Sequence, residues 1–329
     1  MIKRKLIFII LLVALVFAGC SNNSNTGKSA TTNHISSIQG TTTSANTTTG
    51  QYNLTKCEVV EKLCSKEFKG RYIGTEGNKK AGEYISKLFG DIGLQKLENG
   101  SYLQEFKYSL MRNSEDSGKM KTENTLPAYN IVGKIPGKNH KSCIVISAHY
   151  DHMGERNGAF YAGAIDNCSG VSILLDIANK LVKEFSGKLP ENDIYICAFN
   201  GEEIGLKGSS AMVDTLRAKY DEITDVNIEC IEGLVSKKII LVGEPINSSN
   251  FINNIKTSLD KQSILCEAVG NKYGSDHMAF IRSGYNGVTV GQEATDTMHT
   301  PDDTPDKINY EFLDKVSESI YLFLKGYQI

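Results

Sequence analysis

The sequence predicts an α/β protein with a mixed, largely parallel central sheet flanked by helices on both faces, and three observations carry that reading. Short apolar runs of strand length alternate along the chain with longer segments of helical period. The run at 142–148, SCIVISA, is apolar almost throughout, the pattern of a strand covered on both faces. Polar residues able to do chemistry follow the strand-like runs, as they do where ligands gather at the carboxyl ends of strands in an open sheet.

The chain opens on a basic triplet, Lys3, Arg4 and Lys5, followed by an apolar run at 6–18 that is short for a membrane span. It ends in Phe17-Ala18-Gly19-Cys20, which resembles a bacterial lipobox. The expectation is a lipoprotein signal peptide over 1–19 and a lipidated Cys20 that anchors the mature chain to the cell membrane, outside the cytoplasm. Residues 21–50 hold nine Thr, six Ser and five Asn, too little apolar surface to fold, so 20–50 reads as a tether with a reach of roughly 30 Å. Residues 51–329 then suffice for one large α/β domain.

Within that domain, 54–68 reads as a helix with Leu54, Cys57, Val60, Leu63 and Cys64 on one face. A turn at 70–74 leads to a second helix over 76–92, stopped by Gly93. Strands are expected at 102–110 and 128–135, with a polar loop at 112–125 between them. After the 142–148 strand come a helix at 171–185, strands at 193–199, 237–242 and 286–290, and a final helix from Asn309 to Leu324.

The formal charge is −2, becoming −5 once Lys3, Arg4 and Lys5 leave with the signal, and no basic patch appears, which argues against a nucleic-acid partner. Seven cysteines remain besides Cys20 and none forms a CxxC pair, so no Cys-type zinc knuckle or disulfide framework is expected. Cys143 and Cys197 lie inside apolar strands, where cysteine serves as a small core residue.

Five segments hold the candidate ligand chemistry: AHYDHMG (148–154), GAIDNCSG (163–170), FNGEEIGLKGS (199–209), NIECIEG (227–233) and MHTPDDTPDKIN (298–309). In His149-Tyr150-Asp151, strand alternation sends both outer side chains the same way, so a carboxylate can fix the tautomer of a ligand histidine. Asp166 lies in a small-residue loop before a helix, where it either caps the helix or bridges two cations with its two oxygens. Glu202 and Glu203 diverge from an extended loop, so that one can bind metal while the other faces an activated water. Glu229 sits in an apolar stretch, where a carboxylate is costly unless paired or metal-bound; the alternative is an edge strand with Glu229 in solvent. His299 precedes a Pro-Asp-rich turn, while His152 and His277 stand in reserve.

In this order the five segments resemble the M28 family of zinc peptidases, the bacterial leucyl-type aminopeptidase group, over roughly Gly70 to the C-terminus. The resemblance implies the zinc-exopeptidase, phosphorylase/hydrolase-like fold and two Zn²⁺ per chain. His149, Asp166 and Glu229 would hold one, and Asp166, Glu203 and His299 the other, with Asp166 bridging. Glu229 stands where many members carry Asp. Glu202 matches the family's general base, acting with a metal-bridging hydroxide, and Asp151 the carboxylate behind the first histidine. A cis peptide is implied between Asp166 and Asn167. The implied substrates are peptides with free N-termini. Ser275-Asp276-His277 resembles a loop lining the specificity pocket, and Tyr273 matches a tyrosine that stabilises the oxyanion, although an ordinary polar loop accounts equally for these four.

Two alternatives stand beside the di-zinc aminopeptidase. A glutaminyl-cyclase-like acyltransferase on the same scaffold would use one zinc and a Trp-containing pocket, whereas this chain has no Trp. A non-catalytic peptide-binding lipoprotein would have no use for Glu202 beside a full ligand set. Cys168 has no motif placing a base near it, and no Gly-x-Ser-x-Gly occurs.

Overall fold

The computed structural model describes residues 52–109, 125–243, 249–293 and 296–327, all within a compact unit spanning Thr47–Ile329. Cys20, the signal segment and the tether lie outside the described residues, as does the polar loop at 112–125 except for Thr125.

The first helix, α1 (Lys56–Leu63), is started by a reciprocal cap: Thr55 Oγ1 accepts the Glu58 N–H at 3.2 Å, and the Glu58 carboxylate accepts the Thr55 N–H at 2.7 Å. It ends well before residue 68, because Ser65 turns extended and the following tight turn takes Lys69 and Gly70 to φ 47° and 65°. Gly70 is required there, since an added Cβ would lie 2.4 Å from the Tyr161 carbonyl oxygen. The second helix, α2 (Glu76–Ile92), is capped by Thr75 and closed by left-handed Gly93, as expected.

The remaining elements are β1 (Leu103–Tyr108), β2 (Leu126–Ile135), β3 (Asn139–His149), the hairpin β4 (Glu155–Arg156) and β5 (Ala159–Phe160), α3 (Gly170–Glu184), β6 (Asn192–Phe199) and α4 (Lys207–Leu216). They are followed by β7 (Glu222–Glu229), β8 (Lys238–Val242), α5 (Ser249–Lys261), β9 (Leu265–Gly270), α6 (His277–Arg282), β10 (Asn286–Gly291) and α7 (Tyr310–Tyr327). Among the described residues no helix is long and apolar enough to cross a membrane.

Eight strands form one sheet in the order β1-β2-β6-β3-β7-β10-β8-β9. β6, β3, β7 and β10 run parallel at its centre, while β1, β2 and the β10–β8 pairing are antiparallel. Both faces of β3 are buried, as its unbroken apolar run implied. Ile144, Ile146 and Ala148 join the large core with Leu174, Ile177 and Leu181 of α3 and Leu313, Val316 and Ile320 of α7. Cys143 and Val145 point the other way, into a smaller core with Met212, Val213 and Leu216 of α4 and Phe280 of α6. Each buried Ile or Leu contributes about 1.5–3 kcal/mol of transfer free energy, and this two-sided burial fixes the strand ends that carry the polar residues.

The placement of Glu229 resolves the two readings of its segment. It ends β7, a central strand between β3 and β10, so it is neither on an edge nor in open solvent.

Candidate metal centre

The carboxyl ends of β3, β6 and β7 lie side by side and deliver the sequence-predicted residues to one rim. His149 is the last residue of β3, paired with Phe199 at the end of β6, and Glu229 is the last of β7. Asp166 arrives from the loop before α3, and His299 from the loop after β10.

Two donor clusters result, and they share Asp166. In the first, His149 Nε2 lies 3.2 Å from Asp166 Oδ1 and 3.0 Å from Glu229 Oε1. In the second, His299 Nε2 lies 2.9 Å from Asp166 Oδ2 and 3.3 Å from Glu203 Oε2. His152, only a reserve candidate by sequence, joins this cluster with Nδ1 at 2.9 Å from Glu203 Oε1. The donors are imidazole nitrogens and carboxylate oxygens, a set that suits zinc and related divalent ions.

The bridging loop is clamped from several sides. Its Asp166–Asn167 peptide is cis. The Asp303 carboxylate accepts the backbone N–H groups of Ile165 at 2.7 Å and Asp166 at 3.1 Å. The loop after β10 thus supplies both the ligand-type His299 and the clamp that holds Asp166, although sequence marked only the former. Asn167 Oδ1 accepts from Gly170 and Cys230, tying the loop to the end of β7. Beneath it, the fully buried Arg71 donates to the carbonyls of Leu63, Tyr150, Ala162 and Gly163.

Asp151 stands behind His149, as the sequence suggested, and does more besides. His149 Nδ1 is 3.1 Å from the Asp151 backbone carbonyl, while the carboxylate Oδ1 is 3.7 Å away. That carboxylate accepts the backbone N–H groups of Glu202 at 3.2 Å and Glu203 at 3.4 Å. It therefore orients the glutamate pair, and the carbonyl of the same residue fixes the histidine tautomer.

The electrostatics follow from burial and crowding. Burial resists charge on Asp166, but His149 and His299 hold its pKa well below the ordinary range. Burial likewise opposes ionisation of Glu203, yet hydrogen bonds from His152 and His299 bring it down to about 2. Bonds to Asp166 and Glu203 push His299 up to about 10. Glu202 behaves oppositely. Burial raises its pKa to about 10 against the pull of His149, and the Glu229, Asp276 and Asp151 charges add to the rise. Glu202 thus sits beside the His149 cluster without a cation of its own.

The expected substrate loop is placed differently from residue to residue. Ser275 Oγ donates to Glu229 Oε2 at 2.7 Å and so supports a ligand-type carboxylate. Asp276 and His277 are fully enclosed, and His277 Nδ1 is 2.7 Å from Thr289 Oγ1. Tyr273 is part-exposed with its hydroxyl donating to Glu293 at 3.4 Å. Cys168 Sγ lies 3.7 Å from Cys64 Sγ, in the buried layer that also holds Arg71.

The model of Peptidase family M28 matches residues 130–324. Aminopeptidase YwaD of Bacillus subtilis is 29% identical over 250 residues, covering 71% of this chain and 51% of that protein. The chain spans about half the length of the curated relatives it matches. Among solved structures, BSAP, a zinc aminopeptidase from Bacillus subtilis, superposes with a TM-score of 0.63 at 16% identity, over 84% of this chain and 96% of that one. The glutaminyl cyclase of Porphyromonas gingivalis superposes with a TM-score of 0.65 at 17% identity, over 83% and 97%.

Proposed function

The chain belongs to peptidase family M28, and we propose that it is a two-zinc aminopeptidase that removes residues from the free N-termini of peptides. One observation carries the reading: two clusters of nitrogen and oxygen donors share Asp166 at the carboxyl end of a parallel sheet, with Glu202 alongside. The spacing within each cluster, 2.9–3.3 Å between nearest donors, fits donors converging on a common ion. Zinc held there supplies Lewis acidity toward a carbonyl and toward water.

The chain's own residues do the rest. Glu202 is kept close by the Asp151 carboxylate, which holds its backbone N–H. Its carboxylate takes the proton of the attacking water and returns it to the departing amine. Asp303 keeps the Asp166 backbone in place, and Ser275 does the same for the Glu229 side chain.

Fold likeness alone favours neither the aminopeptidase nor the cyclase reading, since the two superpositions are equally good. The second donor cluster favours the aminopeptidase, because a one-zinc cyclase has no use for it. The test is a panel of peptides offered to the zinc-loaded protein. The reading expects release of the N-terminal residue from free peptides and none from their N-acetylated forms. Equal cleavage of both, or pyroglutamate formed from N-terminal Gln, contradicts it.

We further propose that residues 1–19 are a signal, that lipidated Cys20 anchors the enzyme to the outer side of the cell membrane, and that 51–329 is the catalytic domain. A clickable palmitate analogue should label the native chain in its host and leave a Cys20→Ala chain unlabelled. Equal labelling of both contradicts the anchor.

A further inference from the structure

We propose that His152 is itself a ligand, its Nδ1 completing a four-donor site with Asp166, Glu203 and His299, while the site at His149 has three protein donors. This deepens the two-ion reading above and rests on it.

The ring of His152 is fully buried, and its polar surroundings are one-sided. Nδ1 lies 2.9 Å from Glu203 Oε1 and 3.7 Å from Asp166 Oδ2, whereas Nε2 is buried with no hydrogen-bond partner among the described residues. Nδ1 is thus turned to the two carboxylates that also face His299.

The distances agree with ligation. Zinc bonded at about 2.0–2.1 Å to four tetrahedral donors sets them about 3.3–3.4 Å apart. The measured separations in this cluster, 2.9, 2.9, 3.3 and 3.7 Å, bracket that edge. The backbone is also shaped around the ring. Gly163 has φ 61°, and a Cβ there would lie 2.4 Å from His152 Cδ2. No side chain fits between the ring and the Asp166 loop, so the imidazole is fixed where it stands.

The alternative is a positioning hydrogen bond, in which His152 Nδ1–H only orients Glu203. Two variants separate the roles. His152→Gln retains an N–H for Glu203 but is a poor zinc ligand, and His152→Ala retains neither. Zinc affinity is read by competition with a chromophoric chelator, and imidazoles per zinc by X-ray absorption at the zinc edge. Folding of each variant is checked by circular dichroism.

If His152 is a ligand, both variants lose one zinc affinity by more than the roughly 10–100-fold typical of an outer-shell partner. Both also lose one imidazole from the absorption signal, and the other zinc affinity holds. Recovery of affinity in His152→Gln, or an unaltered imidazole signal in His152→Ala, overturns the assignment. Wild-type protein that takes up no zinc at all sinks the two-ion reading itself, and this inference with it.

Discussion

Glu202 and Glu203 are neighbours in sequence, yet their environments drive them apart. Glu203 is paired with two histidines and held near pKa 2, while Glu202 is buried among other acids and raised to about 10. A carboxyl raised that far is protonated in the ion-free site, whereas divalent ions held by His149, Asp166 and Glu229 would favour its ionised form, the one a base needs. Glu202→Gln is expected to lower peptidase turnover by about 10²–10⁴-fold, the range of a lost general base, while zinc uptake measured by chelator competition stays unaltered. Retained turnover removes Glu202 from the chemistry. Asp303 acts at one remove. Asp303→Ala strands the buried N–H groups of Ile165 and Asp166, a cost of about 1–3 kcal/mol, and frees the bridging loop. Zinc affinity is expected to fall about 10–100-fold, with Asp303→Asn falling less because its amide oxygen still accepts one N–H. Asp303 was hidden in the sequence because an acid in a Pro-Asp-rich turn reads as ordinary turn chemistry. His152 stands only in reserve by sequence for a related reason. It follows a strand whose alternation singles out residues 149 and 151, and only the turn of the chain beyond Asp151 swings it back to Glu203.

Elements with a single uniform period were legible. β3, β6, α2, α3 and α7 follow their apolar patterns to within a few residues, because burial on one stripe or on both faces dictated those patterns. β7 was read only at its end. Thr224, Asp225 and Asn227 interrupt its apolar residues, yet all three are buried; Ser147 donates to Asp225 Oδ1 and Asn227 to Thr289 across the sheet, while Asp225 Oδ2 has no hydrogen-bond partner among the described residues. The edge strand β9 buries little and so gave a weak period, while α4 and α6, at ten and six residues, are too short for a helical period to stand out. An ion-pair knot ties three of the helices together. Asp176 of α3 accepts from Lys56 of α1 at 2.7 Å and from Ser317 of α7 at 2.6 Å. Burial works against its charge, but Lys56 and these hydrogen bonds hold its pKa below the ordinary value. A depressed acid contributes stability above its unfolded pKa of about 3.9, and that contribution is lost as pH falls through the lower folded value. Asp176→Asn is therefore expected to cost about 1–3 kcal/mol at neutral pH, with the gap in melting temperature narrowing below about pH 4. A gap that stays constant down to acid contradicts this role.

At the scale of the whole molecule, the central sheet brings five distant segments to one rim, and the acids gathered there repel one another unless cations intervene. Ion binding should therefore stabilise the entire domain. At free zinc about 100 times its dissociation constant the gain is about 2.7 kcal/mol per site, read as a higher melting temperature with zinc than with a chelator. An unaltered melting temperature argues against ions at the rim. The most direct measurement is an anomalous difference map, recorded at the zinc edge from zinc-soaked crystals of the purified protein. The account expects two peaks about 3.5–4 Å apart, one against His149 and Glu229, the other against Glu203 and His299, with Asp166 between them. A single peak, peaks elsewhere, or none at this rim would contradict it.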